Sequence, residues 1–74
     1  MTRIVVTGGA GRLGRSLVTG LASRGHEIIS LDRATAPELE KDGISQVALD
    51  LSDADAAASA LVDARADALI HLAA

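Results

Sequence analysis

Thr7-Gly8-Gly9-Ala10-Gly11-Arg12-Leu13-Gly14 decides how this chain is read. The stretch separates two segments of different period. Before it, Arg3 to Thr7 is a short β-branched run that reads as a fully buried strand. After it, Leu13, Leu17 and Leu21 recur every four residues, with Gly14, Val18 and Ala22 alongside. That spacing marks one apolar helical stripe on a helix beginning at Arg12, with Gly25 as its natural stop. The glycines at 8, 11 and 14 therefore fall in a strand-to-helix turn. In that setting Gly8 lets the chain turn tightly, Gly11 lets backbone approach a pyrophosphate, and Gly14 lets the helix lie close to the sheet. The helix start adds unpaired N–H groups and a partial positive charge. A tight turn with close packing and no ligand is the alternative.

The pattern continues outward. Glu27 to Leu31 reads as a second strand ending at Asp32. Thr35-Ala36-Pro37-Glu38 has capping-box spacing with Pro37 in the first turn, and Gly43 ends whatever helix forms there. Ile44 to Leu49 is a third strand ending at Asp50. Ser52 to Asp55 again has the spacing of a cap, and an alanine-rich helix follows to about Ala64. Asp53 and Asp55 suit the positive N-terminal end of that helix. Ala68 to Leu72 is a fourth strand. Strands alternating with helices over short connections predict an α/β fold with a doubly wound parallel sheet. The expected order is 3-2-1-4, with the two main helices on opposite faces.

Composition narrows the classes further. Seventy-four residues make one domain at most. Apolar residues are 49% of the chain, weighted to alanine and without any aromatic. A core can form but is thin, because so short a chain buries only roughly 60% of its unfolded surface. The branched aliphatics exclude a disordered chain. The lack of cysteine excludes a disulfide scaffold or thiolate metal site and fits a reducing compartment. No apolar run approaches the roughly 20 residues of a membrane span, and Ile4-Val5-Val6 is too short for a signal-peptide core. A cytoplasmic location is the expectation. A net charge of −3 without aromatics argues against a nucleic-acid surface.

Several side chains at strand ends are candidates for chemistry. Asp32 lies 18 residues beyond Gly14, where a carboxylate can accept hydrogen bonds from both hydroxyls of an adenosine ribose and repels a 2′-phosphate. That favours NAD over NADP as cofactor. Arg33 pulls the other way, since it could pair with a 2′-phosphate; a solvated charge or a cover on the adenine face are its other readings. Asp50 could accept from the adenine amine, with Leu51 as an apolar wall, or it could merely cap the next helix, although Ser52 is already a competent cap. His26 reads as a solvated loop residue and His71 as a satisfied core or interface histidine. Two isolated histidines do not make a metal site.

Taken together, these residues resemble the start of the extended short-chain dehydrogenase/reductases, the NAD-dependent epimerase/dehydratase family. The matching pieces are the glycine stretch from Thr7 to Gly14, Asp32, Asp50-Leu51, and His71-Leu72-Ala73-Ala74. The resemblance implies a Rossmann-type fold, with residues 1–74 as the N-terminal, adenosine-binding half of a dinucleotide-binding domain. It places Arg12 and Leu13 on the pyrophosphate, Asp32 on the ribose and Asp50-Leu51 on the adenine. Leu72, Ala73 and Ala74 then lie along the second ribose. The family's Tyr-x-x-x-Lys pair has no counterpart, since the chain has no tyrosine and Lys41 is its single lysine. No catalytic residue is therefore expected within these 74, and the chain alone is expected to be inactive.

The parent protein is expected to be an NAD-dependent oxidoreductase, epimerase or dehydratase of a sugar or nucleotide-sugar, working as a homodimer. A non-catalytic dinucleotide-binding sensor is the alternative. A third reading rests on Gly9 to Ser16, which has the frame of a phosphate-binding NTPase loop, but Arg15 replaces the lysine that reaches the β- and γ-phosphates.

Overall fold

A computed structural model describes residues 2–40 and 43–72. Four strands form one parallel sheet in the order β3-β2-β1-β4: β1 Arg3–Thr7, β2 Glu27–Asp32, β3 Ile44–Ala48 and β4 Ala68–His71. Helix α1 (Arg12–Ser23) joins β1 to β2, and α2 (Ala54–Ala64) joins β3 to β4. The expected order 3-2-1-4 is the one observed. The ladder bonds run one residue past β3 and β4, where Leu49 N–H donates to Asp32 O at 2.9 Å and Leu72 N–H to Thr7 O at 3.0 Å.

Strand pleating sorts the core into two layers. Ile4, Val6 and Ile28 point to one face and meet Val18 of α1, with Leu39 closing the same layer. Val5 and Leu31 point to the other face and meet Ala60 and Ala64 of α2. The alanines of α2 thus do what small side chains do best, which is to let a helix lie close to a sheet. The central strands β1 and β2 are largely buried, whereas β3 and β4 are mostly exposed edges. Leu69 on β4 is 54% exposed, an apolar edge of the kind that invites a further strand.

Two local expectations need correction. The segment after β2 is not a helix capped by Thr35. It is a single 3₁₀ turn, Pro37–Leu39, whose preceding residue is Ala36 and which has no side-chain cap. Gln46 holds it instead, accepting from Ala36 N–H at 2.8 Å and donating to Ala36 O at 3.0 Å. The cap of α2 is Asp53, which accepts from Ala56 N–H at 3.1 Å, and not Ser52.

The end of α1 follows expectation, with Gly25 at φ +88° just past its last turn. The end of α2 does the same with the wrong residue: Arg65 sits at φ +50°. A side chain there costs roughly 1 kcal/mol relative to glycine. Arg65→Gly is therefore expected to stabilise the protein by about 0.5–1 kcal/mol in chemical denaturation; a loss of stability would show that the Arg65 side chain contributes more than its backbone costs.

Candidate functional site

The glycine turn is built by close contacts that tolerate no side chain at two positions. Gly8 leaves β1 at φ +76°, a conformation suited to glycine, and its N–H donates to Leu31 O at 2.9 Å. A Cβ on Gly14 would lie 2.1 Å from Gly8 O and 2.8 Å from Gly9 Cα. Gly14 therefore lets α1 press on the turn itself, not on the sheet as expected. The close approach to the sheet belongs to Gly9, whose Cβ would lie 2.1 Å from Oγ of the buried Ser30. Gly11 is different: a Cβ there meets only Gly8 O, at 3.5 Å. Its backbone is extended, and no side chain caps α1. Among the described residues the first N–H groups of that helix, from Arg12 to Gly14, have no acceptor one turn back. The loop thus combines free donors, a helix dipole and clearance above Gly11, which is what a pyrophosphate needs.

The strand ends form the wall opposite. A cleft of about 630 Å³ is lined by Gly8, Gly11, Asp32, Arg33, Asp50, Leu51, Ser52 and Leu72. It gathers seven of the residues singled out from sequence. Arg12 and Leu13 do not line it with their side chains; Leu13 lies 69% exposed on the outer face of α1, beside Leu17 and Arg24. Ala73 and Ala74 lie outside the described residues.

Asp32 is half-buried at the end of β2. Its Oδ2 accepts from Ala10 N–H at 3.0 Å, and Oδ1 accepts a longer bond of 3.4 Å from Ala34 N–H. Asp50 is exposed, and its Oδ1 accepts from both Ser52 N–H at 2.9 Å and Ser52 Oγ–H at 2.7 Å. These two bonds, helped by the charge of Arg33, hold its carboxyl below the usual aspartate range. Asp50 therefore keeps its charge and shapes the loop, and it does not cap α2. Its Oδ2 has no hydrogen-bond partner among the described residues.

The histidines depart from expectation in part, in the core alternative for His71 and in the solvated reading of His26. His71 is exposed, not in the core, and its Nδ1 is 2.6 Å from Oγ1 of the buried Thr7. His26 is half-buried, and its Nδ1 has no hydrogen-bond partner among the described residues. Arg15, which stands where the NTPase frame has its lysine, pairs with Glu38 of the 3₁₀ turn.

Comparison with known proteins identifies the class. Residues 4–74 match the model of the NAD dependent epimerase/dehydratase family, and the chain belongs to that family. Among curated proteins it is 42% identical over 69 residues to a 2-alkyl-3-oxoalkanoate reductase of Stenotrophomonas maltophilia (strain K279a), covering 93% of this chain and 20% of that protein. It is 39% identical over 72 residues to a 3-beta-hydroxysteroid dehydrogenase of Mycolicibacterium neoaurum, covering 97% and 19%. Among solved structures it superposes on a UDP-glucose 4-epimerase of Thermus thermophilus complexed with NAD at TM-score 0.84 and 34% identity, over 97% of this chain and 24% of that one. The Bordetella bronchiseptica enzyme WbmG, in complex with NAD and UDP, matches at TM-score 0.87 and 31% identity, over 99% and 25%. The chain spans about a fifth of the length of the curated relatives it matches. Among the described residues no helix is long and apolar enough to cross a membrane.

Proposed function

We propose that residues 1–74 are the adenosine- and pyrophosphate-binding half of the NAD site in an enzyme that exchanges hydride with a sugar or nucleotide-sugar. The observation that carries this reading is the single cleft joining the glycine turn to Asp32 and Asp50. The residues fit the cofactor. Backbone N–H of Arg12 and Leu13 would face the pyrophosphate, Asp32 the adenosine ribose, and Asp50 Oδ2 the adenine amine. Leu51 and Leu72 supply apolar walls, and Arg33 at the cleft rim covers the adenine side. When bound, NAD supplies the hydride acceptor. The proton relay of the reaction comes from outside these residues, since the chain holds no tyrosine. The 74 residues alone are then without oxidoreductase activity. A sensor role has less support, because the named relatives are a reductase and a dehydrogenase. A homodimeric, cytoplasmic parent protein belongs to the same proposal.

The curated relatives favour a second substrate class. By name they act on an oxoalkanoate and a hydroxysteroid, while the solved neighbours are a UDP-glucose epimerase and a UDP complex. Assaying the parent protein with nucleotide-sugars, for epimerised or dehydrated product as well as for NADH, and with apolar secondary alcohols for NADH separates the two classes, since an epimerase or dehydratase returns the hydride and leaves no net NADH. Turnover of neither, with NAD still bound, would favour the sensor.

Cofactor choice follows from charge. A carboxylate at Asp32 faces a 2′-phosphate across a partly dry cleft, so NAD is expected to bind about tenfold or more tighter than NADP. Calorimetric titration of the protein with each cofactor measures this. Equal affinities would show that Arg33 outweighs Asp32.

A further inference from the structure

Asp32 touches the glycine loop directly. Ala10 N–H donates to Asp32 Oδ2 at 3.0 Å, the one side-chain hydrogen bond to the loop among the described residues. The other restraints on this turn are backbone bonds, from Gly8 N–H to Leu31 O at 2.9 Å and from Gly11 N–H to Gly8 O at 3.2 Å. Neither fixes the peptide at Ala10, the residue just before the Gly11 N-cap of α1. Asp32 is itself fixed, because its carbonyl accepts from Leu49 N–H at 2.9 Å in the ladder with β3. Among the described residues its Oδ1 makes only the 3.4 Å bond to Ala34 N–H. One carboxylate thus has one oxygen on the loop and one that is largely free.

We propose that Asp32, besides facing the ribose, is a positioning residue for the pyrophosphate: through Ala10 it holds the loop in the form that presents the first N–H groups of α1. This inference rests on the dinucleotide reading and deepens it. Cofactor discrimination and pyrophosphate affinity are then joined in one side chain. Replacing Asp32 by a residue without an acceptor oxygen to admit a 2′-phosphate would loosen the loop and weaken both cofactors together.

The test separates the two roles with a ligand that lacks the ribose hydroxyls. The protein, Asp32→Leu and Asp32→Asn are titrated with ADP and with 2′,3′-dideoxy-ADP. Leucine removes both acceptor oxygens, whereas asparagine keeps one for Ala10 N–H and drops a charge that opposes the phosphates. Asp32→Leu is expected to weaken dideoxy-ADP about fivefold to tenfold, as loss of a charge-assisted hydrogen bond implies, with Asp32→Asn within about twofold of the parent or tighter.

Unchanged dideoxy-ADP affinity in Asp32→Leu, with ADP weakened, overturns the inference and leaves the dinucleotide reading standing. Equal losses in Asp32→Asn and Asp32→Leu also overturn it, since charge and not the acceptor would then matter. Failure of the unaltered protein to bind ADP overturns both. Amide exchange in the unaltered, ligand-free protein decides the matter even if Asp32→Leu does not fold. The Ala10 amide is expected to exchange at least about tenfold more slowly than that of Arg12, and equal rates contradict the inference.

Discussion

Gly14→Ala is expected to destabilise the protein by about 2–4 kcal/mol, although alanine is the better helix former. The added methyl would stand 2.1 Å from Gly8 O and 2.8 Å from Gly9 Cα. Both are backbone atoms in a turn held by hydrogen bonds, so neither can swing aside as a side-chain tip could. Relief requires α1 to lift off the loop, which loosens Val18 from Ile4, Val6 and Ile28. The control lies in the same helix. Gly20 has nothing within 4 Å of its Cβ position, so Gly20→Ala gains helix propensity without contact. It is expected to stabilise by about 0.5–1 kcal/mol. Chemical denaturation of the two variants tests the pair. Equal effects would mean that the turn at Gly8 is more pliable than its geometry shows.

Gly11→Val is the second large effect, and it falls on binding. Gly11 has an ordinary extended backbone, and a Cβ there meets only Gly8 O at van der Waals distance. The fold should therefore change by less than about 1 kcal/mol, the range of substitutions that break no contact. The branched side chain instead occupies the space above the first N–H groups of α1, where a pyrophosphate must come close. NAD affinity is expected to fall by at least about 100-fold, equivalent to the loss of roughly two good hydrogen bonds. Calorimetry gives the affinity and denaturation gives the fold. Unchanged affinity would make the loop a packing device alone. Opposite readouts for Gly14 and Gly11 separate a glycine needed by the fold from one needed by the ligand.

Much of this architecture can be read from sequence because its signals are local and repeated. The β-branched run at Ile4-Val5-Val6 and the four-residue spacing of Gly14, Val18 and Ala22 follow from burial at a fixed period, whereas Leu13, at the head of the neighbouring leucine row, is exposed. Their alternation then leaves few topologies, and 3-2-1-4 is the one formed. Contacts between elements are harder to see. Gly9 and Ser30 lie 21 residues apart, and nothing in either segment shows that one must be bare because the other is beside it. The tie between Ala10 and Asp32 is hidden for the same reason.

The cap before α2 is hidden for a different reason. Asp50, Ser52 and Asp53 are all competent caps, and only the bonds formed show that Asp50 holds Ser52 and leaves Asp53 to cap. Arg65 gives no signal at all, since a glycine would be expected at its backbone angle. His71 reads as a satisfied core or interface histidine because its neighbours are apolar. It stands instead on an exposed edge strand, tied to Thr7.

A crystal structure of the protein grown with NAD tests the central claim most directly. The account predicts the pyrophosphate against the N–H groups of Arg12 and Leu13, the adenosine ribose hydroxyls within hydrogen-bond distance of Asp32, and the adenine between Asp50 and Leu51. NAD bound elsewhere, or bound here with its ribose turned away from Asp32, would contradict it.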